Sequence, residues 1–167
     1  MVVPLIWLIT TGRLEAAFWL LVVAGISDAA DGFVAKRYDL RTELGAYLDP
    51  LADKALLVAI YVAFALSGTL PAWLVVMVVS RDVLIVVGVV LIQRRHPTFR
   101  ATPLVIGKIN TFAQILLAAG ALAHAGGLVD LAEMINPLIA MVACTTLLSA
   151  VGYSVQAYRA TRSEASS

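Results

Sequence analysis

Residues 28–37 read DAADGFVAKR and residues 45–54 read GAYLDPLADK, so two pairs of aspartates follow one another closely in the chain. An apolar run, Ala16–Ser27, precedes the first pair, and a second apolar run, Ala55–Leu66, follows the second pair. A helix needs about 20 residues to cross the hydrocarbon of a bilayer. Each run is too short alone, so each helix reaches full length only by including its aspartates. The sequence therefore predicts four carboxylates below the membrane surface.

Helix geometry predicts that the two aspartate pairs converge. Asp28 and Asp31 are three residues apart, and Asp49 lies four residues before Asp53, so each pair occupies one helix face. At 1.5 Å per residue, Asp28 lies about 10 Å from the end of its segment, and Asp53 about 14 Å from the start of its own. The polar connection 36–43 makes the two helices antiparallel neighbours. We therefore expect the four carboxylates to share one small volume.

Four carboxylates in a low-dielectric site cannot all stay ionised unaided. Either their pKa values rise or bound cations neutralise them. Carboxylate oxygens without His or Cys favour Mg²⁺ or Mn²⁺ over Zn²⁺. Two such ions about 3.5–4 Å apart would form a phosphoryl-transfer site. The small residues beside the aspartates either let a ligand approach closely or serve only to pack helices in a membrane.

The composition predicts an all-α, polytopic membrane protein. Of the 167 residues, 61% are hydrophobic, whereas soluble domains are about half apolar. Six apolar segments follow one another: Met1–Thr10, Ala16–Ala35, Leu44–Leu66, Ala72–Ile92, Pro103–Ala123 and Asn136–Tyr158. We expect six transmembrane helices, the first of them truncated because Met1–Thr10 is too short to span. Residues 1–160 are predicted to form one membrane domain, and residues 161–167 a disordered tail.

The positions of the basic residues predict the orientation of the chain. Ten of the twelve Lys and Arg residues lie near the second-to-third connection, near the fourth-to-fifth connection, or at the end of the sixth segment. By the positive-inside rule these regions face the cytoplasm. We therefore expect a multi-pass protein of the inner cell membrane with both termini and the active site on the cytoplasmic side. The net charge of +1 gives no sign of a nucleic-acid partner.

The spacing of the aspartates resembles a known signature. The pattern Asp28-x-x-Asp31-Gly32-x-x-Ala35-Lys36, eight residues, then Gly45-x-x-x-Asp49-x-x-x-Asp53 resembles that of the CDP-alcohol phosphatidyltransferases. Lys36 is the exception, since the family's usual residue there is Arg, which can bind a phosphate with two parallel hydrogen bonds. The resemblance implies a six-helix fold and metal-dependent transfer of a phosphatidyl group from CDP-diacylglycerol to an alcohol, with release of CMP.

The same resemblance implies a role for each matching residue. Asp28, Asp31 and Asp49 would coordinate two Mg²⁺ or Mn²⁺ ions, and Asp53 would complete that site and act as general base on the acceptor hydroxyl. The nucleotide would lie against Gly32, Ala35 and Gly45, with Lys36 near the diphosphate. Arg37 is a candidate contact for the diphosphate and for the acceptor. Members of the family commonly form homodimers. They normally begin with an amphipathic helix, and Met1 here aligns within the helix that follows it.

Two later segments bear on the acceptor alcohol. Arg81, in Ser80-Arg81-Asp82, lies midway along the fourth segment, where an ionisable residue is expected to be functional. It either binds an acceptor phosphate or forms a buried ion pair with Asp82 or with another helix. Lys108 begins a polar stripe over residues 107–114 that either contacts the acceptor or bonds neighbouring helices together.

The acceptor itself is predicted from resemblance within the family. Both segments resemble the branch that holds phosphatidylglycerophosphate synthases and CMP-forming cardiolipin synthases, and residues 80–114 resemble the cardiolipin enzymes more. This favours phosphatidylglycerol as acceptor, with glycerol 3-phosphate as the alternative. An intramembrane cation or proton transporter would also carry buried carboxylates, but it would not need the small residues at fixed spacing. An intramembrane prenyltransferase would be expected to carry two similar aspartate motifs on distant helices and to have a longer chain. This sequence has neither feature.

Overall fold

The computed structural model describes the backbone of residues 2–37, 43–95 and 104–163, and the side chains of residues 2–28, 30, 54–88 and 104–156. Within these ranges the chain forms six helices: α1 (Val2–Thr10), α2 (Leu14–Arg37), α3 (Glu43–Ser67), α4 (Ala72–Arg95), α5 (Val105–Ala125) and α6 (Ala132–Ser163). Each helix contains most of one predicted apolar segment. No strand occurs in the described residues, so the prediction of an all-α fold with six helices is confirmed.

Helix α5 lies between three other helices of the bundle. It packs against α2, α3 and α6, while α1 lies against α2 and α3, and α4 lies against α3 and α6. The side of α5 that carries Ala113, Leu117 and Ala121 is buried, because apolar side chains recur there every three to four residues. The largest fully buried side chains come from α1, α3, α4, α5 and α6: Leu5, Ile9, Ile60, Tyr61, Phe64, Leu74, Val78, Leu117, Leu122 and Val142.

Polar side chains cross the centre of this core between α5 and α6. Asn110 is fully buried, and its Oδ1 accepts hydrogen bonds of 2.9 Å from the hydroxyls of Thr145 and Thr146. Gln114, one turn further along α5, is also buried, and its backbone carbonyl oxygen accepts a 3.0 Å hydrogen bond from Tyr61 Oη. The polar stripe of α5 thus bonds neighbouring helices, which is one of the two roles the sequence left open for it.

The C-terminal end of α5 and the N-terminal end of α2 lie close together, at the opposite end of α2 from the aspartates of the signature. A Cβ added to Gly126, just after α5, would lie 2.8 Å from the backbone nitrogen of Glu15 at the start of α2. Such a distance is too short for any side chain, so glycine is required for this contact. The chain then turns through Gly127 at φ 74°, a left-handed conformation that favours glycine.

The outer surface of the bundle is apolar. Large side chains stand far out of it on several helices, among them Leu66 at 75% exposure, Val105 at 72% and Phe112 at 68%. Extended apolar surface of this kind is typical of a membrane or protein contact. Among the described residues, Val105–Ala125 and Ala132–Gln156 are long and apolar enough to cross a membrane, and Lys54–Ser67 is a shorter apolar stretch. Six spans therefore stay a prediction.

The boundaries of α6 differ most from the predicted segment. This helix begins at Ala132, four residues before Asn136. The Oδ1 atom of Asp130 accepts a 3.1 Å hydrogen bond from the Ala132 backbone nitrogen, which satisfies a donor that the first helical turn leaves free. At the other end α6 continues to Ser163, within the segment 161–167 that was predicted to be a tail, and residues 164–167 lie outside the described range.

Candidate functional site

The predicted metal ligands belong to two consecutive helices. Asp28 and Asp31 lie on α2, and Asp49 and Asp53 lie on α3. The side chain of Asp28 is exposed. The other three aspartate side chains lie outside the described residues, so the expected convergence of four carboxylates stays a prediction.

The nucleotide contacts that the sequence predicted also lie outside the described side chains. They are Gly32, Ala35, Lys36, Arg37 and Gly45. Among the side chains that are described, no three His, Cys, Asp or Glu residues lie close enough to hold a metal ion. Asp31, Asp49 and Asp53 lie outside the described side chains, so the predicted Mg²⁺ or Mn²⁺ site stays a prediction.

A buried arginine lies in the middle of α4. Arg81 and its neighbour Asp82 are only 5% and 6% exposed. The Nη1 atom of Arg81 donates to Asp82 Oδ1, and its Nη2 atom donates to the hydroxyl of Ser149 on α6. The guanidinium carbon lies 5.7 Å from the centre of the Tyr153 ring, within reach of a cation–π interaction. The ion pair with Asp82, one of the alternatives for Arg81, is therefore present.

The Nε–H group of this guanidinium is one of the donors that the described residues leave unused. Arg81 Nε is buried and has no hydrogen-bond partner among them. A buried donor without a partner costs about 1–3 kcal/mol. Asp82 and Ser149 each accept one hydrogen bond from the terminal nitrogens, so Nε and the second N–H of each terminal nitrogen are left for a further acceptor.

Arg81 also lines a cavity of about 510 Å³ between α3, α4, α5 and α6. This volume falls within the roughly 300–1,000 Å³ of typical small-molecule sites. The described lining combines cationic, polar and apolar side chains: Lys54, Arg81, Leu104, Gly107, Lys108, Thr111, Phe112, Ile115 and Tyr153. Two predicted acceptor contacts, Arg81 and Lys108, thus face one cavity, and Lys54 is a third cation beside them.

A close approach at Gly107 shapes the floor of the cavity. A Cβ added there would lie 3.2 Å from Tyr153 Oη and 3.4 Å from Arg81 Nη2. These distances are at or below ordinary van der Waals contact, so a side chain at this position would displace its neighbours. The glycine therefore lets α5 come close to both the guanidinium and the phenol.

Three residues of this site were not among the sequence predictions. Ser149 and Tyr153 are four residues apart on α6, and with Thr145 they form a polar stripe at helical spacing. That periodicity was a signal for a polar face on an otherwise apolar helix. Lys54 directly follows Asp53, and the sequence predicted only that it lies toward the cytoplasmic side of the membrane.

The arrangement is suited to holding an anion at the edge of the bundle. Asp82 compensates Arg81, and Lys54 and Lys108 add positive charge to the cavity lining. Among the described lining residues there is no carboxylate. Charge-assisted hydrogen bonds from such cations to a phosphate are roughly twice as strong as neutral ones.

Comparison with known proteins identifies a family. Residues 1–151 match the model of the CDP-alcohol phosphatidyltransferases, a stretch that includes both aspartate pairs and the cavity residues of α3, α4 and α5.

Curated relatives carry two names. A chloroplastic CDP-diacylglycerol–glycerol-3-phosphate 3-phosphatidyltransferase of Oryza sativa is 34% identical over 176 aligned positions, covering 93% of this chain and 53% of the rice protein. The CMP-forming cardiolipin synthase of Homo sapiens is 33% identical, covering 70% of this chain and 44% of the human protein. A CDP-diacylglycerol–glycerol-3-phosphate 3-phosphatidyltransferase of Bacillus subtilis is 35% identical, covering 63% of this chain and 53% of the Bacillus protein. The chain thus spans about half the length of these relatives.

Proposed function

The chain belongs to the CDP-alcohol phosphatidyltransferase family, and from this membership we propose that it is an enzyme of phospholipid biosynthesis. It transfers a phosphatidyl group from CDP-diacylglycerol to an alcohol and releases CMP. The match over residues 1–151, which includes all four aspartates of the signature, carries this proposal.

The aspartates supply the chemistry of the reaction. Asp28, Asp31, Asp49 and Asp53 would hold two Mg²⁺ or Mn²⁺ ions, and a donor set made only of carboxylate oxygens fits these hard cations. When bound, the ions supply positive charge that compensates the diphosphate and the departing CMP. Asp53 accepts the proton of the acceptor hydroxyl as that oxygen attacks the phosphorus on the lipid side.

Residues around the aspartates bind the nucleotide. Gly32, Ala35 and Gly45 leave room for the cytidine and ribose, since a small or absent side chain permits close approach. Lys36 lies one residue after Ala35 and contacts the diphosphate, with Arg37 as a further cation.

The acceptor occupies the cavity lined by Arg81 and Lys108. Arg81 Nε has no protein partner among the described residues, and Lys54 and Lys108 add charge to the same lining, so a phosphate group is the complementary ligand. Phosphatidylglycerol is the acceptor that we favour, which makes the enzyme a cardiolipin synthase. Glycerol 3-phosphate is the alternative, and the names of the relatives include both reactions.

The protein would lie in the inner cell membrane. The two helices that are apolar and long enough to span, and the apolar surface of the bundle, support a membrane location. We propose six spans with both termini and the active site at the cytoplasmic face, and a homodimer as the assembled form.

The proposal is tested by following CMP release. Purified protein is incubated with labelled CDP-diacylglycerol and either Mn²⁺ or Mg²⁺, with phosphatidylglycerol and glycerol 3-phosphate offered separately. We expect CMP release and labelled cardiolipin with phosphatidylglycerol, and loss of both products when a chelator removes the ions. Release with glycerol 3-phosphate alone would assign the alternative acceptor, and release with neither would contradict the proposal.

Gly107→Ala tests whether the acceptor binds in the cavity. The added methyl group displaces Tyr153 Oη and Arg81 Nη2, and a cost of about 1 kcal/mol raises the KM for the acceptor about fivefold. The KM for CDP-diacylglycerol should not change. Gly120→Ala on the same helix is the control, because its Cβ would meet Leu138 Cδ1 at an ordinary 3.6 Å. An unchanged acceptor KM in Gly107→Ala would place the acceptor elsewhere.

A further inference from the structure

One wall of the cavity is also part of the outer surface of the bundle. Phe112 and Ile115 both line the cavity, yet they are 68% and 45% exposed. On the opposite side Arg81 is buried. The cavity therefore opens sideways, through a gap that we call the lateral mouth and define by Phe112 and Ile115.

The lateral mouth lies deep along α5. Phe112 and Ile115 are seven and ten residues after Val105, which begins the helix, or about 10 and 15 Å along its axis at 1.5 Å per residue. The 21 residues of α5 extend about 32 Å at the same rise, close to the roughly 30 Å thickness of the hydrocarbon core. With α5 spanning the bilayer, the mouth faces lipid chains rather than water.

The two sides of the cavity match the two parts of a phospholipid. The lateral mouth offers apolar surface, and the buried Arg81 and half-buried Lys54 offer positive charge further in. Lys108 is exposed one helical turn before Phe112 and adds positive charge beside the mouth. A phosphodiester can contact the cations while its acyl chains stay against Phe112 and Ile115. Glycerol 3-phosphate has a phosphate for the cations but no apolar group for the mouth.

We propose that the acceptor enters this cavity from within the bilayer, as an intact phosphatidylglycerol molecule, through the lateral mouth. This inference rests on the proposed function, because it assigns an entry route and specificity residues to the acceptor of that reaction. Phe112 and Ile115 contact the acyl chains, and the cations contact the phosphodiester.

The route is tested by tryptophan quenching in vesicles, which requires no turnover. Phe112→Trp places a reporter in the lateral mouth. Ile109→Trp is the matched control, since Ile109 is 48% exposed on the same helix and is not among the described residues of the cavity lining. The three native tryptophans contribute the same background to both variants. The quenchers are brominated acyl chains on phosphatidylglycerol or on phosphatidylcholine.

We expect Phe112→Trp to be half-quenched at about a fivefold lower fraction of brominated phosphatidylglycerol than of brominated phosphatidylcholine, because one cation near an anionic lipid contributes about 1 kcal/mol. Ile109→Trp should show a smaller preference, set only by general attraction of anionic lipid. Adding Lys108→Gln to Phe112→Trp should reduce the preference to that of the control.

Equal quenching by the two lipids at Phe112→Trp would overturn the proposal, and so would a preference that Lys108→Gln leaves intact. Failure of the proposed function is seen separately, as absence of CMP release with every acceptor. Quenching that prefers phosphatidylglycerol would still support a lipid-entry site in that case.

Discussion

Asp53→Asn is expected to lower the rate of CMP release by at least about a hundredfold, because a general base contributes roughly 10²–10⁴-fold to such a reaction. Asparagine keeps the size of the side chain but cannot accept the proton of the acceptor hydroxyl. Binding of a CDP nucleotide, measured by calorimetry, should be largely retained. Raising the Mn²⁺ concentration should offset the loss of one metal ligand but should not restore turnover, since proton acceptance is still missing.

The matched control is Asp130→Asn. Asp130 lies on the connection between α5 and α6, its side chain is 87% exposed, and it plays no part in the proposed site. Its replacement should leave CMP release unchanged. Wild-type turnover in Asp53→Asn would remove Asp53 from the mechanism, and full rescue by Mn²⁺ would make it a metal ligand without a role as base.

Arg81→Gln is expected to destabilise the protein by about 3 kcal/mol, since breaking a buried ion pair leaves the charge of its partner uncompensated. Here that partner is Asp82, which is 6% exposed, and the hydrogen bond to Ser149 is altered as well. For a chain of this size about 1 kcal/mol shifts the melting temperature by roughly 2–4 °C. The melting temperature in detergent should therefore fall by about 6–12 °C.

A double variant separates stability from acceptor binding. Arg81→Gln combined with Asp82→Asn removes both charges, so most of the melting temperature should return while the acceptor KM stays raised. Arg13→Gln is the control, because Arg13 is exposed and its described contact is a cation–π interaction with Trp7 at 5.5 Å. If Arg81→Gln melted at the wild-type temperature, the ion pair would not stabilise the fold. Recovery of a normal acceptor KM in the double variant would exclude Arg81 from acceptor binding.

The helices were predictable from the sequence because long apolar segments separated by polar connections leave few alternatives in a membrane protein. Their ends were less predictable. The start of α6 depends on the Asp130 side chain, which accepts a hydrogen bond from the backbone nitrogen of Ala132. The distribution of apolar residues along the sequence does not reveal such a local contact.

Part of the candidate site was likewise predictable from the sequence, and part of it was not. The aspartate signature and Arg81 could be found by reading along the chain, because charges stand out in apolar segments. The partners of Arg81 could not be found in this way. Ser149 lies 68 residues further along, and its contact with Arg81 depends on how α4 packs against α6. The cavity itself depends on the same packing.

The hydrogen bonds of Asn110 fix the axial register between α5 and α6. Its single side-chain oxygen accepts from two adjacent hydroxyls, Thr145 and Thr146, so a slide of one helical turn, about 5.4 Å, would break both contacts. One turn away along α5, Gly107 then meets Tyr153 of the antiparallel α6. The dimensions of the cavity thus depend in part on an amide that does not line it.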